Sequence, residues 1–198
     1  MLKNNKVLLA SSNQGKIREF KKIFKGFDFL SQEDLGIDDA VEDGISFFEN
    51  ALKKARHGSN KSGLLTIADD SGLVVPGLDY EPGIYSARYA GEGASDKDNR
   101  GKIIDQLNKK NVSSLEAFYI CVLVGVRSDL DPIPLYSVGE IHGRVSTKSS
   151  GDGGFGYDKI FYPDGYDVSM ASIDPEEKNK ISHRAVAAKS FIKELEKL

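Results

Sequence analysis

Two adjacent carboxylates in the first half of the chain are candidates for metal binding or proton transfer. Asp69 and Asp70 follow the apolar run from Leu64 to Ala68 and precede Ser71. Carboxylates beside a buried strand are costly unless a cation or hydrogen-bond donors meet them, so a metal site is the economical interpretation. Because side chains alternate along a strand, both acids face one ion only if a turn begins here. Two solvated aspartates in an ordinary turn explain the pattern equally well.

A second acidic segment, Glu42 and Asp43, precedes a helical pattern that carries Glu49. Magnesium prefers carboxylate oxygens, water and substrate phosphates as ligands. One carboxylate from this segment and one from the Asp69 and Asp70 pair would therefore make a magnesium site. Glu49 itself fits a surface pair with Lys53, which stands four residues later.

A polar run after the first predicted strand could bind phosphate. The run consists of Ser11, Ser12, Asn13, Gln14, Gly15 and Lys16. A helix predicted to begin at Lys16 would offer unpaired N–H groups and the positive end of its dipole, and several of these side chains add donors. The run is not a Walker A loop, because the first glycine is missing and Ile17 replaces the magnesium-binding Ser or Thr. An ordinary helix N-cap explains the same residues.

The glycine-rich segment from Gly151 to Gly156 literally matches the dinucleotide-binding fingerprint, and Asp174 stands near the position of the ribose acid. We reject the match because the segment leads into residues 157–162, which read as a strand and not as a helix. Two interpretations stay open. One is a flexible loop that lets a base or phosphate approach, with Phe155 or Tyr157 to stack on it, and the other is a tight β-connection.

Three charged or titratable residues lie early in the last predicted helix. Lys178 and Arg184 could hold phosphate or base oxygens, and His183 could donate to a purine carbonyl. Arg184 stands three residues after Ile181 on the buried stripe, so it need not point fully into solvent. A solvated first turn of mixed charge explains the same residues, and the other motifs favour the functional interpretation.

The predicted secondary structure that carries these residues alternates between strands and helices. The patterns predict strands over 6–10, 64–68, 115–127, 135–145 and 157–162. They predict helices over 16–27, 45–58, from a Ser95 cap to about Asn111, and from Pro175 to Leu195 with Asp174 as N-cap and Glu177 in a capping box. The two long β runs are expected to be antiparallel neighbours. The fold class is α/β, with helices packed on a long twisted sheet in one domain over 1–198.

Composition narrows the classes of function. The net charge of -3 comes from interspersed signs, which argues against a nucleic-acid partner that needs a cationic face. The first apolar stretch is too short for a signal peptide or a membrane span, so we expect no membrane association. Cys121, within the apolar run FYICVLVGV, is expected to be a buried strand residue in a reducing compartment. Together these features predict a soluble cytoplasmic protein.

Six motifs occur in a recognisable order: SSNQGK, FFENA, ADDSGL, PGIYSARYAG, GGFGYD and KNKISHRA. From about residue 7 to residue 190 the chain resembles the inosine triphosphate pyrophosphatase family, enzymes that remove non-canonical purine nucleotides. The chain departs from the family pattern at Asp152 and Lys159, and Val41 precedes Glu42 where a second acid is frequent. The last departure leaves the metal ligand of that segment open.

The resemblance implies a role for each motif. Ser11 to Lys16 would hold the triphosphate, Ser71 would contact substrate, and Asp70 would be the metal-linked general base, with Glu42 as a second Mg²⁺ ligand. The base would be surrounded by Phe155, Gly156, Tyr157 and Asp158, and the pocket completed by Lys178, His183 and Arg184. The resemblance also implies a homodimer with a long twisted mixed sheet, flanking helices, two lobes and a central substrate cleft.

The activity that this implies is magnesium-dependent hydrolysis of ITP, dITP and XTP to the nucleoside monophosphate and pyrophosphate. Three alternatives remain. A regulatory nucleotide-binding module would not need the Asp69 and Asp70 pair. An oxidoreductase would rest only on the rejected glycine fingerprint, and a pyrophosphatase of different base preference would keep the same chemistry.

Overall fold

The structure is a computed structural model that describes residues 6–24 and 26–196. The strands of this part are β1 (Lys6–Ala10), β2 (Asp28–Ser31), β3 (Thr66–Val74), β4 (Ser114–Val126), β5 (Leu135–Ser146) and β6 (Phe161–Pro163). The helices are α1 (Gln14–Ile23), α2 (Gln32–Leu35), α3 (Phe47–Ser62), α4 (Asp96–Lys109), α5 (Pro175–Ile181) and α6 (His183–Leu195). The alternation of strands and helices is that of an α/β protein, as predicted.

The six strands form one sheet in the order β2-β1-β3-β4-β5-β6. Strand β1 is parallel to both β2 and β3, with Leu9 opposite Ser31 and Ile67. Strand β5 is antiparallel to β6, with Arg144 opposite Tyr162. The sheet is therefore mixed, which confirms the predicted fold class.

The prediction that β4 and β5 are neighbours is confirmed by the strand order. Their antiparallel orientation follows from the chain itself. The connection over 127–134 can span at most about 28 Å when fully extended, whereas the 13 residues of β4 cover about 43 Å. The chain cannot return to the start of β4, so it enters β5 at the end where it left β4.

One compact unit, unit 1, comprises the described chain up to Asp70, together with Cys121–Gly139 and the residues from Arg184 onward. Its core is aromatic: Phe24 contacts Phe191 edge to face, with ring centroids 6.3 Å apart. A Cβ on Gly125 would lie 2.6 Å from the ring of Phe191, so only glycine fits this point of β4. Cys121 is buried in the same core, as predicted.

The other compact unit, unit 2, comprises Ser71–Ile120 and Glu140–His183. Its core includes Ile103 and Leu107 of α4, both fully buried. Tyr119 of β4 and Phe161 of β6 pack edge to face with centroids 4.8 Å apart. Helix α4 therefore packs against the part of the sheet that belongs to its own unit.

Two strand predictions are wrong in their bounds. Strand β3 does not end at Ala68 but continues through both acids to Val74. The buried face and the neighbouring strands override the low strand propensity of aspartate. The strand predicted over 157–162 begins only at Phe161, because Tyr157 and its followers form a turn closed by backbone bonds such as that from the Ile160 N–H to the Tyr157 carbonyl.

Helix bounds also differ from prediction. Helix α1 begins at Gln14, two residues early, because Asn13 caps it, and it ends at Ile23 and not Phe27. Helix α3 begins after the Ser46 cap and extends to Ser62, so Ile45, the first residue of the predicted helix, lies outside the helix and is 88% exposed. Strand β2 and helix α2 were not predicted.

The last predicted helix is two helices. Ser182 has extended backbone angles, φ -63° and ψ 152°, and separates α5 from α6. Asp174 is the N-cap and Pro175 the first helical residue, as predicted. The capping box is wrong: the Asp174 side chain accepts from the Glu176 N–H, and Glu177 accepts instead from the Tyr166 hydroxyl. Among the described residues, no helix is long and apolar enough to cross a membrane.

Candidate active site

The pleat of β3 separates the two adjacent acids. Successive side chains of a strand point to opposite faces, and since no turn begins here, Asp69 and Asp70 do so as well. The Asp69 carboxylate lies 2.8 Å from the ammonium of Lys16 on α1. Asp70 Oδ2 instead accepts a hydrogen bond of 3.1 Å from the side-chain amide of Asn50 on α3. The two acids therefore have different partners and different roles.

The surroundings of the two acids shift their pKa values in opposite directions. Burial alone would raise the pKa of Asp69, but the cations of Lys16, Lys54 and Arg184 outweigh it and hold that pKa well below its usual range. Burial also raises the pKa of Asp70, where Lys54 and Lys16 offset it only in part, so the net shift is upward. Asp69 is thus a fixed anion, and Asp70 is the carboxylate with the greater affinity for a proton.

The two predicted metal ligands, Glu42 and Asp70, both lie near the ammonium group of Lys54. Its ammonium lies 2.8 Å from Glu42 Oε1 and 3.9 Å from Asp70 Oδ1. Burial would lower the pKa of Lys54, but the negative charges of Asp69, Asp70 and Glu42 raise it overall. The side chain is therefore a largely buried, positively charged group between β3 and the acidic segment of Glu42 and Asp43.

Asn50 links the segment that contains Gly44 to Asp70 on β3. Its side chain is fully buried, donates to Asp70, and accepts a 2.8 Å hydrogen bond from the Gly44 N–H. A Cβ on Gly44 would lie 2.6 Å from Asn50 Oδ1, so the close approach requires glycine. Sequence reasoning missed Asn50 and Lys54, although their spacing puts both on the face of α3 that buries Ala51 and Ala55. Polar residues on a buried helical stripe were the available signal.

The two carboxylates of this arrangement suit a magnesium ion that takes its remaining ligands from water and phosphate. Glu42 and Asp70 are hard oxygen donors that already share one cation, the Lys54 ammonium. The part of the chain that the structure describes holds no group of three or more His, Cys, Asp or Glu side chains able to bind a metal. Two carboxylates with the remaining ligands from water and phosphate are a usual magnesium site.

The other acids near α3 are used structurally. Glu49 accepts from the Ile45 N–H at 2.8 Å and from the Ser46 hydroxyl, at the start of the helix. Lys53 forms its ion pair with Asp43, so the predicted pair between Glu49 and Lys53 is wrong. An N-terminal acid is better placed against the unpaired N–H groups of its own helix.

The predicted phosphate-binding run forms an N-cap. Asn13 Oδ1 accepts from the Gly15 N–H at 2.9 Å and from the Lys16 N–H at 3.1 Å. Ser11 is buried and its hydroxyl accepts from the Asn13 N–H, while Ser12 and Gln14 are exposed. The cap satisfies two of the backbone donors expected for phosphate, and the Lys16 ammonium carries the positive charge of this segment.

Arg184 belongs to the same charged cluster of unit 1. It is buried, as expected from its place beside the apolar stripe, and its guanidinium Nη1 lies 2.9 Å from Glu19 Oε2 of α1. Its charge also contributes to the depressed pKa of Asp69. We call Lys16, Glu42, Asn50, Lys54, Asp69, Asp70 and Arg184 the acid–lysine cluster.

In unit 2 a buried ion pair organises the glycine loop. The Lys178 ammonium lies 2.8 Å from Asp158 Oδ2 and 5.0 Å from the centre of the Phe155 ring. Asp158 also accepts from the Phe155 N–H at 3.0 Å and from the Tyr119 hydroxyl at 3.3 Å. We call Phe155, Gly156, Tyr157, Asp158 and Lys178 the loop cluster.

His183 stacks on a tyrosine that sequence reasoning missed. Its ring lies parallel to that of Tyr119, with centroids 4.7 Å apart and planes 5° apart, and it is buried. Tyr119 lies in the middle of an apolar strand, where nothing distinguishes it from a core residue. The stack fixes the orientation of the imidazole, which is the property a hydrogen-bonding side chain needs for selectivity.

Of the two aromatic rings expected beside a base, Phe155 is half-buried and Tyr157 only 3% exposed. The Tyr157 hydroxyl donates to the Ser86 carbonyl at 2.8 Å, and burial raises its pKa. Phe155 is therefore the more accessible of the two rings. Ser71, expected to contact substrate, is the half-buried residue after Asp70 on β3.

Comparison with known proteins assigns the chain to a family. A family model described as the Ham1 family matches residues 7–194. The chain belongs to the Ham1 family. It is 45% identical over 181 residues to a dITP/XTP pyrophosphatase of Legionella pneumophila (strain Paris), covering 91% of this chain and 93% of that protein. It is 45% identical over 197 residues to a dITP/XTP pyrophosphatase of Acinetobacter baumannii (strain ACICU), covering 96% and 95%.

Solved Ham1 structures share the fold. A HAM1 protein from Coxiella burnetii matches with a TM-score of 0.90 and 36% identity, covering 98% of this chain and 99% of that one. The Ham1 protein of Staphylococcus aureus matches with a TM-score of 0.84 and 38% identity, covering 97% and 98%. The family resemblance seen in the motifs is confirmed.

The glycine loop of this Ham1 protein is a packed turn. Residues after Gly156 form a turn and then β6, so no helix opens here, and the rejection of the dinucleotide fingerprint is confirmed. Gly154 has φ +70°, and a Cβ there would collide with the Asp158 carboxylate. Glycine at 154 therefore lets the loop close onto Asp158.

Proposed function

We propose that this Ham1 protein is a magnesium-dependent pyrophosphatase that hydrolyses dITP, XTP and ITP to the nucleoside monophosphate and pyrophosphate. The observation that carries the proposal is the geometry of two adjacent acids on β3. Asp69 lies 2.8 Å from the Lys16 ammonium, whereas Asp70 accepts from Asn50 and lies 3.9 Å from the Lys54 ammonium, which Glu42 also contacts. The names of the relatives, dITP/XTP pyrophosphatases, support the substrate class.

Asp70 is the proposed general base. Asn50 orients its carboxylate through Oδ2, and burial raises its pKa toward the range where a carboxylate accepts a proton more readily. In the reaction, Asp70 takes the proton of a water that attacks the α-phosphorus, and pyrophosphate leaves. Asp69 takes no proton, because Lys16 and its neighbours stabilise its charge.

The cations of the acid–lysine cluster neutralise the triphosphate. Lys16, Lys54 and Arg184 are buried or nearly so, and a cation in a poorly solvated site acts strongly on phosphate oxygens. Bound Mg²⁺ would be held by Glu42 and Asp70 and would supply further charge neutralisation and a more acidic water. The exposed polar residues Ser12 and Gln14 add donors at the start of α1.

The loop cluster and His183 recognise the base. Phe155 stacks on the purine, and the fixed donors of this region, Lys178 and His183, face its oxo groups. Against adenine, a donor aimed at O6 meets an amino group and loses its hydrogen bond, which costs about 1–3 kcal/mol. Fixed donors thus favour 6-oxo purines.

A homodimer and a cytoplasmic location complete the proposal. They are supported by the family resemblance and by the reduced state expected of the buried Cys121. Light scattering of the purified protein tests the dimer, for which a mass twice that of the 21.7 kDa chain is expected.

Pyrophosphate release tests the activity. Release is measured from dITP, XTP, ITP, dATP and dGTP, each with magnesium and with a chelator. We expect release from the first three with magnesium only and none from dATP, whereas dGTP shares the 6-oxo group and tests whether the site also reads the 2-amino group. Release from none of them by the folded protein contradicts the proposal, and equal release from all five contradicts the base selectivity alone.

A further inference from the structure

Gly156 in the loop cluster is held on both sides by helix α4. Its N–H donates to the Asp96 carboxylate at 2.7 Å, and its carbonyl accepts from the Arg100 guanidinium at 2.6 Å. Asp96 and Arg100 lie four residues apart on one face of α4, so both side chains reach the same peptide segment. Neither residue belongs to the groups assigned above to phosphate or base.

Helix α4 is itself anchored to the segment PGIYSARYAG, which has no other assigned role. Buried Asn99 donates to the Ala87 carbonyl at 3.1 Å and accepts from the Ala90 N–H at 2.8 Å. Lys102 donates to the Tyr89 carbonyl at 2.6 Å. Helix α4 and the segment are therefore held together by hydrogen bonds. The two contacts from α4 to Gly156 attach the loop to this pair of elements.

The loop is also fixed from its own side. The Phe155 N–H donates to Asp158, the Asp158 N–H donates to the Phe155 carbonyl at 3.2 Å, and the Tyr157 hydroxyl donates to Ser86 of the same segment. Gly156 sits at φ +59°, a conformation that glycine adopts without cost. These bonds hold the Phe155–Gly156 peptide through its carbonyl only, and none of them holds the Gly156–Tyr157 peptide, which is where the loop could still rotate.

The contacts of α4 remove that rotation. In a trans peptide the N–H and the C=O point in opposite directions. Since the Gly156 carbonyl points to Arg100, the Tyr157 N–H of the same peptide points away from α4. A peptide that could flip would present either a donor or an acceptor to a ligand, whereas a fixed peptide presents one of them and discriminates between oxo and amino groups.

We propose that Asp96 and Arg100 are positioning residues for base selectivity, which act by clamping the two peptide groups of Gly156. The inference rests on the proposed function, since it assigns the source of its selectivity. It takes the ligand of this loop to be a nucleobase that carries an oxo group. Loss of the clamp lowers the preference for the oxo base and leaves the phosphate chemistry intact.

The experiment uses the full chain with four variants: Asp96→Ala, Asp96→Asn, Arg100→Met and Arg100→Lys. The matched controls are Asp105→Ala and Lys109→Met, an exposed acid and an exposed base of the same helix. For each protein, kcat and KM are measured with dITP and with dATP, and thermal unfolding is followed by circular dichroism. Controls should match the wild type.

We expect Asp96→Ala and Arg100→Met to raise KM for dITP and to lower the ratio of kcat/KM for dITP over dATP by about tenfold, the equivalent of one charge-assisted hydrogen bond. The value of kcat should change by less than about threefold. Asp96→Asn and Arg100→Lys keep one acceptor or donor and should recover part of the ratio. This recovery separates positioning from loss of fold, because the conservative variants retain the unfolding temperature.

Two outcomes overturn the inference separately from the proposed function. An unchanged ratio in all four variants, with a wild type that prefers dITP, rejects the clamp and leaves the pyrophosphatase in place. Equal falls of kcat for both substrates, without a change of ratio, reject it as well. A wild type that releases no pyrophosphate from dITP rejects the proposed function at the first measurement, before any variant is compared, and the clamp with it.

Discussion

Two buried ion pairs of the same length behave differently in the two compact units. Lys16 and Asp69 in unit 1, and Lys178 and Asp158 in unit 2, are both 2.8 Å apart. The second pair is completed by uncharged donors, the Phe155 N–H and the Tyr119 hydroxyl. The first lies beside another carboxyl, Asp70, and within reach of the charges of further cations.

The difference separates chemistry from recognition. In unit 1 burial outweighs the nearby lysines and leaves one carboxyl, Asp70, with a raised pKa, so the cluster can accept a proton or a cation. In unit 2 the charges are matched by one pair and its oxygens by backbone and phenol donors, so the cluster fixes a geometry. The surroundings of a buried ion pair thus distinguish the two clusters, whereas the distance between the charged groups does not.

The largest effect that tests the contrast between the two clusters is expected for Asp70→Asn. We expect kcat for dITP to fall about a thousandfold, because the general base is lost while the phosphate-binding cations remain. The raised folded pKa means that the ionised carboxyl opposes folding above that pKa, so at about pH 7 the variant should be at least as stable as the wild type. Single-turnover kinetics and urea unfolding measure the two effects.

Asp69→Asn is the matched control of that experiment. It changes the neighbouring residue by the same chemistry, but it leaves the buried Lys16 ammonium without its carboxylate, and we expect a loss of stability of about 3 kcal/mol. Near-normal activity of Asp70→Asn, or a more stable Asp69→Asn, would show that the two roles are reversed.

In unit 2, Lys178→Met should cost about 3 kcal/mol of unfolding free energy, because the buried Asp158 loses its cation. The double variant Lys178→Met with Asp158→Asn removes both charges and should regain part of that loss. Urea unfolding of the two variants measures the difference. If the single variant unfolds like the wild type, the loop cluster is not held by this pair.

Two glycines of the loop offer a smaller test. Gly154→Ala and Gly156→Ala both place alanine at positive φ, which costs about 1 kcal/mol each. A Cβ at 154 would collide with Asp158. A Cβ at 156 would have open space within 4 Å. We expect KM for dITP to rise several-fold more in Gly154→Ala. Equal KM values in the two variants would mean that Asp158 has no part in placing the base.

The smallest effect concerns a carboxylate of unit 1 that resembles Asp158 in its fixed donors. Asp131, before β5, accepts from the Arg127 side chain and from the backbone N–H groups of Arg127 and Ile133, and these bonds lower its pKa. Its stabilisation is therefore present above the unfolded pKa of about 3.9 and is lost as the pH falls toward the lower folded value. Asp131→Asn should cost about 1 kcal/mol at about pH 7.

The pH dependence checks the sign of that prediction. The difference in unfolding free energy between wild type and Asp131→Asn, measured by urea unfolding, should shrink between about pH 5 and about pH 2. A difference that grows toward low pH would contradict the lowered pKa. The contrast with Asp70, whose carboxyl opposes folding when ionised, then rests on two measured signs.

Local signals in the sequence predicted what depends on local structure. Ser95 and Asp174 were recognised as N-caps, and the long β runs gave β4 and β5 within one residue at each end. The chemical types of the site were also visible, since Asp70 and Lys16 stand out by their neighbours in the chain. These features need only spacing and propensity.

What could not be predicted depends on partners distant in the chain. Lys54 is one residue from Lys53, and only the packing of α3 against β3 shows that Lys54 reaches Glu42 and Asp70 while Lys53 pairs with Asp43. The break at Ser182 interrupts an apolar stripe that continues through it in the sequence. Asp96 and Arg100 look like ordinary surface charges of a helix until their contacts to Gly156 are seen.

The course of β3 through Asp69 and Asp70 determines how the chain tolerates changes of length. Because the pleat places the two acids on opposite faces, deleting one residue before them would move Asp70 to the place of Asp69, and inserting one would move Asp69 to the place of Asp70. After such a deletion the carboxyl proposed as the proton acceptor would face Lys16. The connection between β4 and β5, which exposes Leu130 and Ile133, lies outside the pleated strands, so a change of length there moves no side chain from one face of the sheet to the other.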